Sequence, residues 1–347
     1  MDTGTAGTRA RRRPPIDLRA FQELTDLADY FVPFTIRTIS ELGIADLLAD
    51  GPLPVEELAA RSGTQPGPLL RALRALTARG VFAEVEERTF GLTRTAEVLR
   101  SDHPLSMADA YRHMPEDVAA WLELAHSLRT GRPAFDHVHG QHLWDYLADH
   151  PEAGRRFDRG MQAMTRPELL AALGACDWQA LGTVVDVGGG NGTFLAGLLA
   201  RYRTLRGVLF DLPHVVAGAS PVMAGAGVAD RCEVVAGSFF ESIPAGAGGY
   251  LLKRIVYGWD DEGAVTLLRR VREAMVPSSR VLVMEPLDRP GGHDRLARVL
   301  DLVMLVVDGG RARTPAELEA LFAAAGLELT RVVDTMAFPI VEGRRAS

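Results

Sequence analysis

The sequence predicts an α/β protein with a doubly wound, Rossmann-like sheet in its second half and a mainly α winged-helix domain before it. Three observations carry this. Residues 181–347 alternate short apolar strand-like runs with helical segments. The run Thr183-Val184-Val185-Asp186-Val187-Gly188-Gly189-Gly190-Asn191-Gly192 passes from a buried strand into a tight turn, and residues 194–199 start a helix straight after it. Residues 15–105 read as helix, short helix, turn, helix and a small hairpin, which is the helix–turn–helix-plus-wing pattern.

The elements follow in order. Residues 1–14 hold Arg9, Arg11, Arg12 and Arg13 ahead of Pro14-Pro15 with no apolar signal core, so a disordered tail is expected, not a targeting peptide. Residues 21–44 have apolar residues at helical spacing and stop near Gly43. A short helix and turn occupy 54–63. A second helix, 68–79, ends at Gly80, and 81–85 with 88–92 make the wing. Arg71, Arg74 and Arg79 on the second helix open a DNA-binding reading. The acids of the same segment and the net charge of −7 weigh against it and favour a packing module.

Residues 106–180 form a helical connector. Trp121, Leu124 and Leu128 share one face, Trp144 and Leu147 another, and Phe157, Met161 and Met164 a third. Such faces serve equally as plain core or as the wall of a pocket. The connector is rich in histidine: His113, His126, His137, His139, His142 and His150, with His103 just before it. The cluster His137-x-His139-x-x-His142 lacks the i, i+4 spacing and the carboxylate that a metal site needs, so no metal is expected. In the second half, strands are expected at 183–188, 208–211, 232–236, 249–254, 280–285 and 327–334, with helices between them.

Composition sets the outer limits. A chain of 347 residues is long enough for two cores, and 47% hydrophobic with 24% charged residues is ordinary for a soluble globular protein. Two distant cysteines, Cys176 and Cys232, fit neither a disulfide framework nor a cysteine metal site. They point to a reducing compartment, hence a cytoplasmic protein. No apolar run reaches membrane-spanning length; 299–307 is interrupted by Asp301.

The glycine spacing narrows the ligand. Gly188, Gly190 and Gly192 make G-x-G-x-G, and Thr193 stands where a dinucleotide fold has its third glycine. The next strand ends in Asp211, within Phe210-Asp211-Leu212-Pro213, where a carboxylate can accept both hydroxyls of a ribose. A nucleoside without a pyrophosphate fits both facts, which points to S-adenosylmethionine. Asp211 as a helix cap remains an alternative reading, as does Phe239 as core.

Taken together, several segments resemble one family. These are 186–192, Phe210-Asp211-Leu212-Pro213-His214-Val215-Val216, Gly237-Ser238-Phe239-Phe240, the stretch Lys253-Arg254-Ile255-Val256-Tyr257-Gly258-Trp259-Asp260-Asp261-Glu262, and Asp308-Gly309-Gly310-Arg311-Ala312-Arg313-Thr314. In order and spacing they are similar to the S-adenosylmethionine-dependent O-methyltransferases of the plant caffeate and bacterial polyketide type. The resemblance spans nearly the whole chain. It implies that 15–105 is a winged-helix dimerisation domain, that 106–180 contributes to the acceptor pocket, and that 181–347 binds the cofactor.

The resemblance also implies roles. Gly188 and Gly190 would pass under the amino-acid part of the cofactor. Asp211 would hold the ribose, Leu212 and Phe239 would flank the adenine, and Lys253 would contact the purine. Ser238 replaces the aspartate that usually accepts from the adenine amino group. The acceptor would lie against Phe157, Met161, Met164 and Trp259, with Met304 opposite.

The catalytic positions depart from the family. Its general-base histidine and the following aspartate are Tyr257 and Gly258 here. One orienting carboxylate, Glu285, is retained; the other is Ala312. A tyrosine with an ordinary pKa near ~10 is a poor base at neutral pH. Three accounts stay open. In the first the acceptor ionises unaided, with the enzyme supplying alignment; in the second a connector histidine such as His113 is the base; in the third the chain no longer transfers methyl groups. The resulting expectation is an O-methyltransferase acting on a phenolic hydroxyl of a polyketide-derived aromatic acid, free or carrier-bound. It would work as a homodimer and release S-adenosylhomocysteine. An acyl carrier protein would meet Arg129 and Arg132. The rivals are a cofactor-retaining hydroxylase, decarboxylase or cyclase, and a winged-helix DNA-binding regulator.

Overall fold

The computed structural model describes residues 16–112, 114–289 and 295–346. The tail expected at 1–14 lies outside them. The chain divides after Ala96 into two compact units.

The first unit is helical with a small sheet. Its core is Ile39, Ile44, Leu58, Leu69, Leu73, Leu76, Phe82 and Phe90, drawn from the helices Phe31–Glu41, Val55–Ser62 and Pro66–Thr77 and from the wing. Strands β1 (Leu53–Pro54), β2 (Phe82–Glu86) and β3 (Thr89–Leu92) pair antiparallel in the order β1-β3-β2, so the expected two-stranded wing has a third strand. The single helix expected over 21–44 is instead Leu18–Leu27, Phe31–Glu41 and Ile44–Leu47, the last of which supplies Ile44 to the core. The first break has a local cause: the Asp29 carboxylate accepts from the Phe31 amide at 2.6 Å and competes with the helical bond. Phe21, Leu24, Leu27 and Phe31 are exposed on these first helices. Arg74 is held bidentate by Glu84, at 2.9 and 2.7 Å. Arg79 reaches Asp26 at 3.0 Å and Asp29 at 3.6 Å.

The second unit is a seven-stranded sheet covered on both faces. Its strands are β4 (Thr183–Val187), β5 (Arg206–Asp211), β6 (Cys232–Ala236), β7 (Gly249–Lys253), β8 (Arg280–Met284), β9 (Leu327–Val333) and β10 (Ile340–Arg345). They lie in the order β6-β5-β4-β7-β8-β10-β9, with β4 to β8 parallel and β10 antiparallel to both neighbours. The strand β10 was not expected from sequence. The central strands are apolar at successive positions because alternate side chains enter different cores. Val185, Val187, Tyr250, Leu252, Val281 and Val283 meet the helices Asp261–Ala274 and Pro315–Ala324. Val184, Leu251, Leu282 and Met284 meet Trp178 and the helix Thr193–Arg201.

A third core joins the connector to the helix Arg295–Val307 through Ala120, Phe135, Leu143, Val306 and Val307. Trp121 and Leu124 pack on it. Leu128 does not share their face as expected: the helices Pro115–Leu122 and Leu124–Thr130 are separate, and Leu128 is exposed. The three histidines of the connector cluster point to different partners. The His137 ring stacks on His126, His139 Nε2 lies 3.1 Å from the Glu116 carbonyl, and His142 Nε2 lies 3.2 Å from the Asp308 carbonyl. No described helix is long and apolar enough to cross a membrane.

Candidate active site

Parallel pairing of β4 with β5 sets Val187 beside Phe210 and brings the glycine turn to the end of β5. The amides of Gly188 and Gly189 both donate to the Phe210 carbonyl, at 2.8 and 3.4 Å. Gly188 has φ +68°, and a Cβ there would stand 2.5 Å from Ile255 Cδ1, so this position demands glycine on both counts. Asp211 Oδ2 accepts from the Gly190 amide at 2.8 Å and Oδ1 from the Leu212 amide at 2.7 Å. Leu212, the N-cap of the helix Pro213–Val216, receives no side-chain cap, so Asp211 is a turn-holding carboxylate and not the cap of that helix. Burial raises its pKa, while the Leu212 and Gly190 amides and His214 pull it back down.

Asp186, at the centre of β4, is buried, and neither carboxylate oxygen has a partner among the described residues. Burial pushes its pKa up to about 7, against the pull of Lys253. The Lys253 ammonium, at the end of β7, sits 2.9 Å from Glu168 Oε2 and 3.3 Å from Thr165 Oγ1, both on the helix Pro151–Ala172. Arg254 follows at φ +60°, a conformation that side chains rarely adopt, and reaches Glu168 Oε1 at 3.4 Å. Sequence reasoning missed Glu168 and Arg254. The signal was present: Met161, Thr165, Glu168 and Ala172 share one helical face, and an acid on such a face must find a cation.

The aromatic residues sort into two groups. Phe239 meets Phe240 at 4.9 Å and Trp259 at 5.9 Å between ring centres, so Trp259 stands with Phe239. Both are partly buried against the first sheet core, so the core reading of Phe239 holds in part. Ser238 Oγ accepts from the Phe240 amide at 3.3 Å. Phe157 pairs edge-on with Trp144 at 5.6 Å. Met161 and Met164 are half-buried on the same helix as Phe157, and Met304 is buried in Arg295–Val307. His113 lies outside the described residues.

At the catalytic positions, Tyr257 is buried and its hydroxyl accepts from Arg254 Nε and Nη2 at 3.3 and 3.2 Å. Glu285 has no exposed surface. Its Oε2 accepts from the Tyr257 amide at 3.0 Å, and its Oε1 has no partner among the described residues. Burial drives its pKa up to about 7, opposed by the Tyr257 amide, Arg313 and the Val256 amide. The wholly buried Arg313 guanidinium donates to the carbonyls of Val256 (3.1 Å) and Trp259 (2.8 Å) and to Asp261 (2.8 Å), which fixes the 256–261 turn. The Ala312 amide, where the family has its second carboxylate, donates to Asp301 at 2.7 Å.

Comparison with known proteins follows this geometry. The O-methyltransferase domain matches residues 121–328 and the O-methyltransferase dimerisation domain residues 25–102. The chain is 40% identical to a phenazine O-methyltransferase of Lysobacter antibioticus, over 92% of this chain and 94% of that one. The solved O-methyltransferase from neocarzinostatin biosynthesis, bound to S-adenosylmethionine and 2-hydroxy-5-methyl naphthoic acid, superposes with a TM-score of 0.78. It is 35% identical, over 96% of this chain and all of that one. The aclacinomycin 10-hydroxylase of Streptomyces purpurascens is 36% identical, over 88% of this chain and 84% of that one.

Glu285 generates a pH prediction. A glutamate that titrates near 4.5 when unfolded and near 7 when folded binds an extra proton in the native state between those values. Its contribution to stability is full below pH 4.5 and is lost as pH rises through 7. Glu285→Gln keeps an acceptor for the Tyr257 amide but cannot ionise. Relative to the parent, its urea-unfolding free energy is expected to improve from pH 5 to pH 8 by on the order of 1–3 kcal/mol. An equal difference at both pH values would contradict this assignment.

Proposed function

The chain belongs to the S-adenosylmethionine-dependent O-methyltransferase family, and we propose that its acceptor is a phenolic hydroxyl of a polyketide-derived aromatic acid, free or carrier-bound. The observation that carries the reading is the Asp211 carboxylate, held by two turn amides at the carboxyl edge of the sheet. Each oxygen accepts one amide and keeps a lone pair for a ribose hydroxyl. The turn fits the rest of such a ligand: a Cβ built on Gly190 meets nothing within 4 Å, and the unpartnered Asp186 oxygens lie beneath Gly189.

We assign Gly188 and Gly190 to the amino-acid end of the cofactor, Asp211 to the ribose, and Leu212 and Phe239 to the adenine. Ser238 Oγ is engaged by the Phe240 amide, and the Lys253 ammonium by Glu168 and Thr165. When bound, the cofactor supplies a methyl group on a sulfonium sulfur, whose bonding pair returns to sulfur as the acceptor oxygen takes the carbon. Phe157, Met161, Met164 and Met304 form the apolar wall that orients a flat acceptor and excludes water. The Tyr257 hydroxyl oxygen is engaged by the Arg254 guanidinium. The phenazine and naphthoic acid of the relatives are flat aromatic molecules of the proposed kind.

A second reading is a cofactor-retaining enzyme that does not methylate. It is favoured by Tyr257, Gly258 and Ala312 at the family's catalytic positions and by the hydroxylase relative.

A methyl-transfer assay over a panel of phenolic aromatic acids tests both readings. The expected result is a methyl ether of at least one of them. Cofactor bound with no phenol methylated would favour the second reading. Charge reversal at the exposed Arg129 and Arg132 then separates the acceptor forms, since only a carrier-tethered acid should slow. In calorimetry Asp211→Ala should weaken cofactor binding by one to about 3 kcal/mol, the scale of lost hydrogen bonds to a charged group. Unchanged affinity would remove Asp211 from the site.

We also propose that the exposed apolar face of Leu18–Leu27 and Phe31–Glu41 is covered by a second copy of the chain, in line with the match to a dimerisation domain. Light scattering at micromolar concentration should give twice the chain mass. A monomer of full activity would refute it.

A further inference from the structure

The Tyr257 hydroxyl is engaged by Arg254, and Glu285 is sealed from solvent. Another acid and a histidine meet beside them. Asp308 follows the helix Arg295–Val307, and its amide donates to the Met304 carbonyl at 3.0 Å. A Cβ built on Gly258 would stand 3.0 Å from Asp308 Oδ2, so this carboxylate takes the space that a side chain at 258 would enter. His142, the N-cap of the helix Leu143–Asp149, places Nε2 at 3.2 Å from the Asp308 carbonyl and 3.5 Å from its Oδ1. The Asp308 side chain is 4% exposed and that of His142 is 34% exposed, so the imidazole alone opens outward. The Trp144 ring, two residues on from His142, meets Phe157. The pair therefore lies beside Met304 and near Phe157, both assigned above to the acceptor side, and beside Gly258.

We propose that His142 is the general base of the methyl transfer and that Asp308 is its positioning residue. This rests on the O-methyltransferase reading. With Nε2–H donated to the Asp308 backbone carbonyl, Nδ1 keeps a lone pair to take the acceptor's O–H proton. The acceptor oxygen keeps the bonding pair and forms the new bond to carbon, and the imidazolium returns its proton to water through its exposed edge. The acids near enough to His142 for its charge to act on them are Asp308 and Asp136 of the helix Ala134–His139, and Asp145, on the helix that His142 caps, acts on Asp136 in turn. Burial raises the Asp308 pKa while His142 and Trp144 lower it. A histidine held by the Asp308 carbonyl, with that residue's carboxylate 3.5 Å away, does at 142 what the family's histidine does at the position of Tyr257.

The test uses the full chain. His142→Gln should lower kcat on a methylated phenol from the panel by roughly 10²–10⁴-fold at pH 7, with KM and cofactor affinity within a few-fold. The loss should shrink as pH approaches the phenol's own ionisation. Asp308→Asn should lower kcat less than His142→Gln, with KM within a few-fold, and should lower it no further in the His142→Gln background. A His142→Gln enzyme with kcat and pH profile within about threefold of the parent would overturn the base. An Asp308→Asn loss of the same size with and without His142 would overturn the pairing. A parent enzyme that methylates no phenol would overturn the underlying reading, and the base with it.

Discussion

The carboxylate of Asp211 is the interaction on which the site depends. It ends β5, and its two oxygens draw in the amides of Gly190 and Leu212 from two different turns. That tie works only because β4 and β5 run parallel and in register, with Val187 beside Phe210. It also works only because the residues between β4 and the next helix can approach the strand end closely, which Gly188 permits at φ +68°. Buried valines on both faces of β4 hold the strand; the strand holds the turn; and the turn presents a carboxylate with free lone pairs at the sheet edge.

A second layer of charge lies behind this edge. Glu168, Lys253 and Arg254 are nearly or wholly buried, and Asp186 lies close enough for Lys253 to lower its pKa. Buried ion pairs add little to stability, yet removing one member leaves an uncompensated charge, so such a network constrains geometry more than it adds free energy. Its effect is to lock the end of β7 against the helix Pro151–Ala172. The Tyr257 turn, fixed from its other side by Arg313, then has little freedom. The tyrosine hydroxyl joins the cation network, and the Asp308 carboxylate occupies the space beside Gly258.

The legible parts of the sequence were those governed by local patterns. Continuous apolar runs marked β4, β5, β7 and β8, because strands covered on both faces need no polar alternation. The glycine turn and Asp211 were legible because turn chemistry is written in adjacent residues. What stayed hidden depends on distant partners. Strand β10 carries Glu342, Gly343, Arg344 and Arg345 and reads as a polar tail until β8 and β9 pair with it. The break at Asp29 turned on one side-chain-to-backbone bond inside an otherwise helical stretch. His142 and Asp308 stand 166 positions apart, and nothing in the spacing of either could announce the other. The packing of Trp259 on Phe239 likewise joins two loops that are distant in sequence.

The edge formed by Gly188, Gly190 and Asp211 is assigned to the methyl donor. A crystal structure of the full chain grown with S-adenosylhomocysteine tests this most directly. Both ribose hydroxyls are expected on the Asp211 carboxylate, the adenine against Phe239 and Leu212, and the amino-acid end over the glycine turn. A nucleoside bound elsewhere, with Asp211 still holding only its two amides, would contradict it.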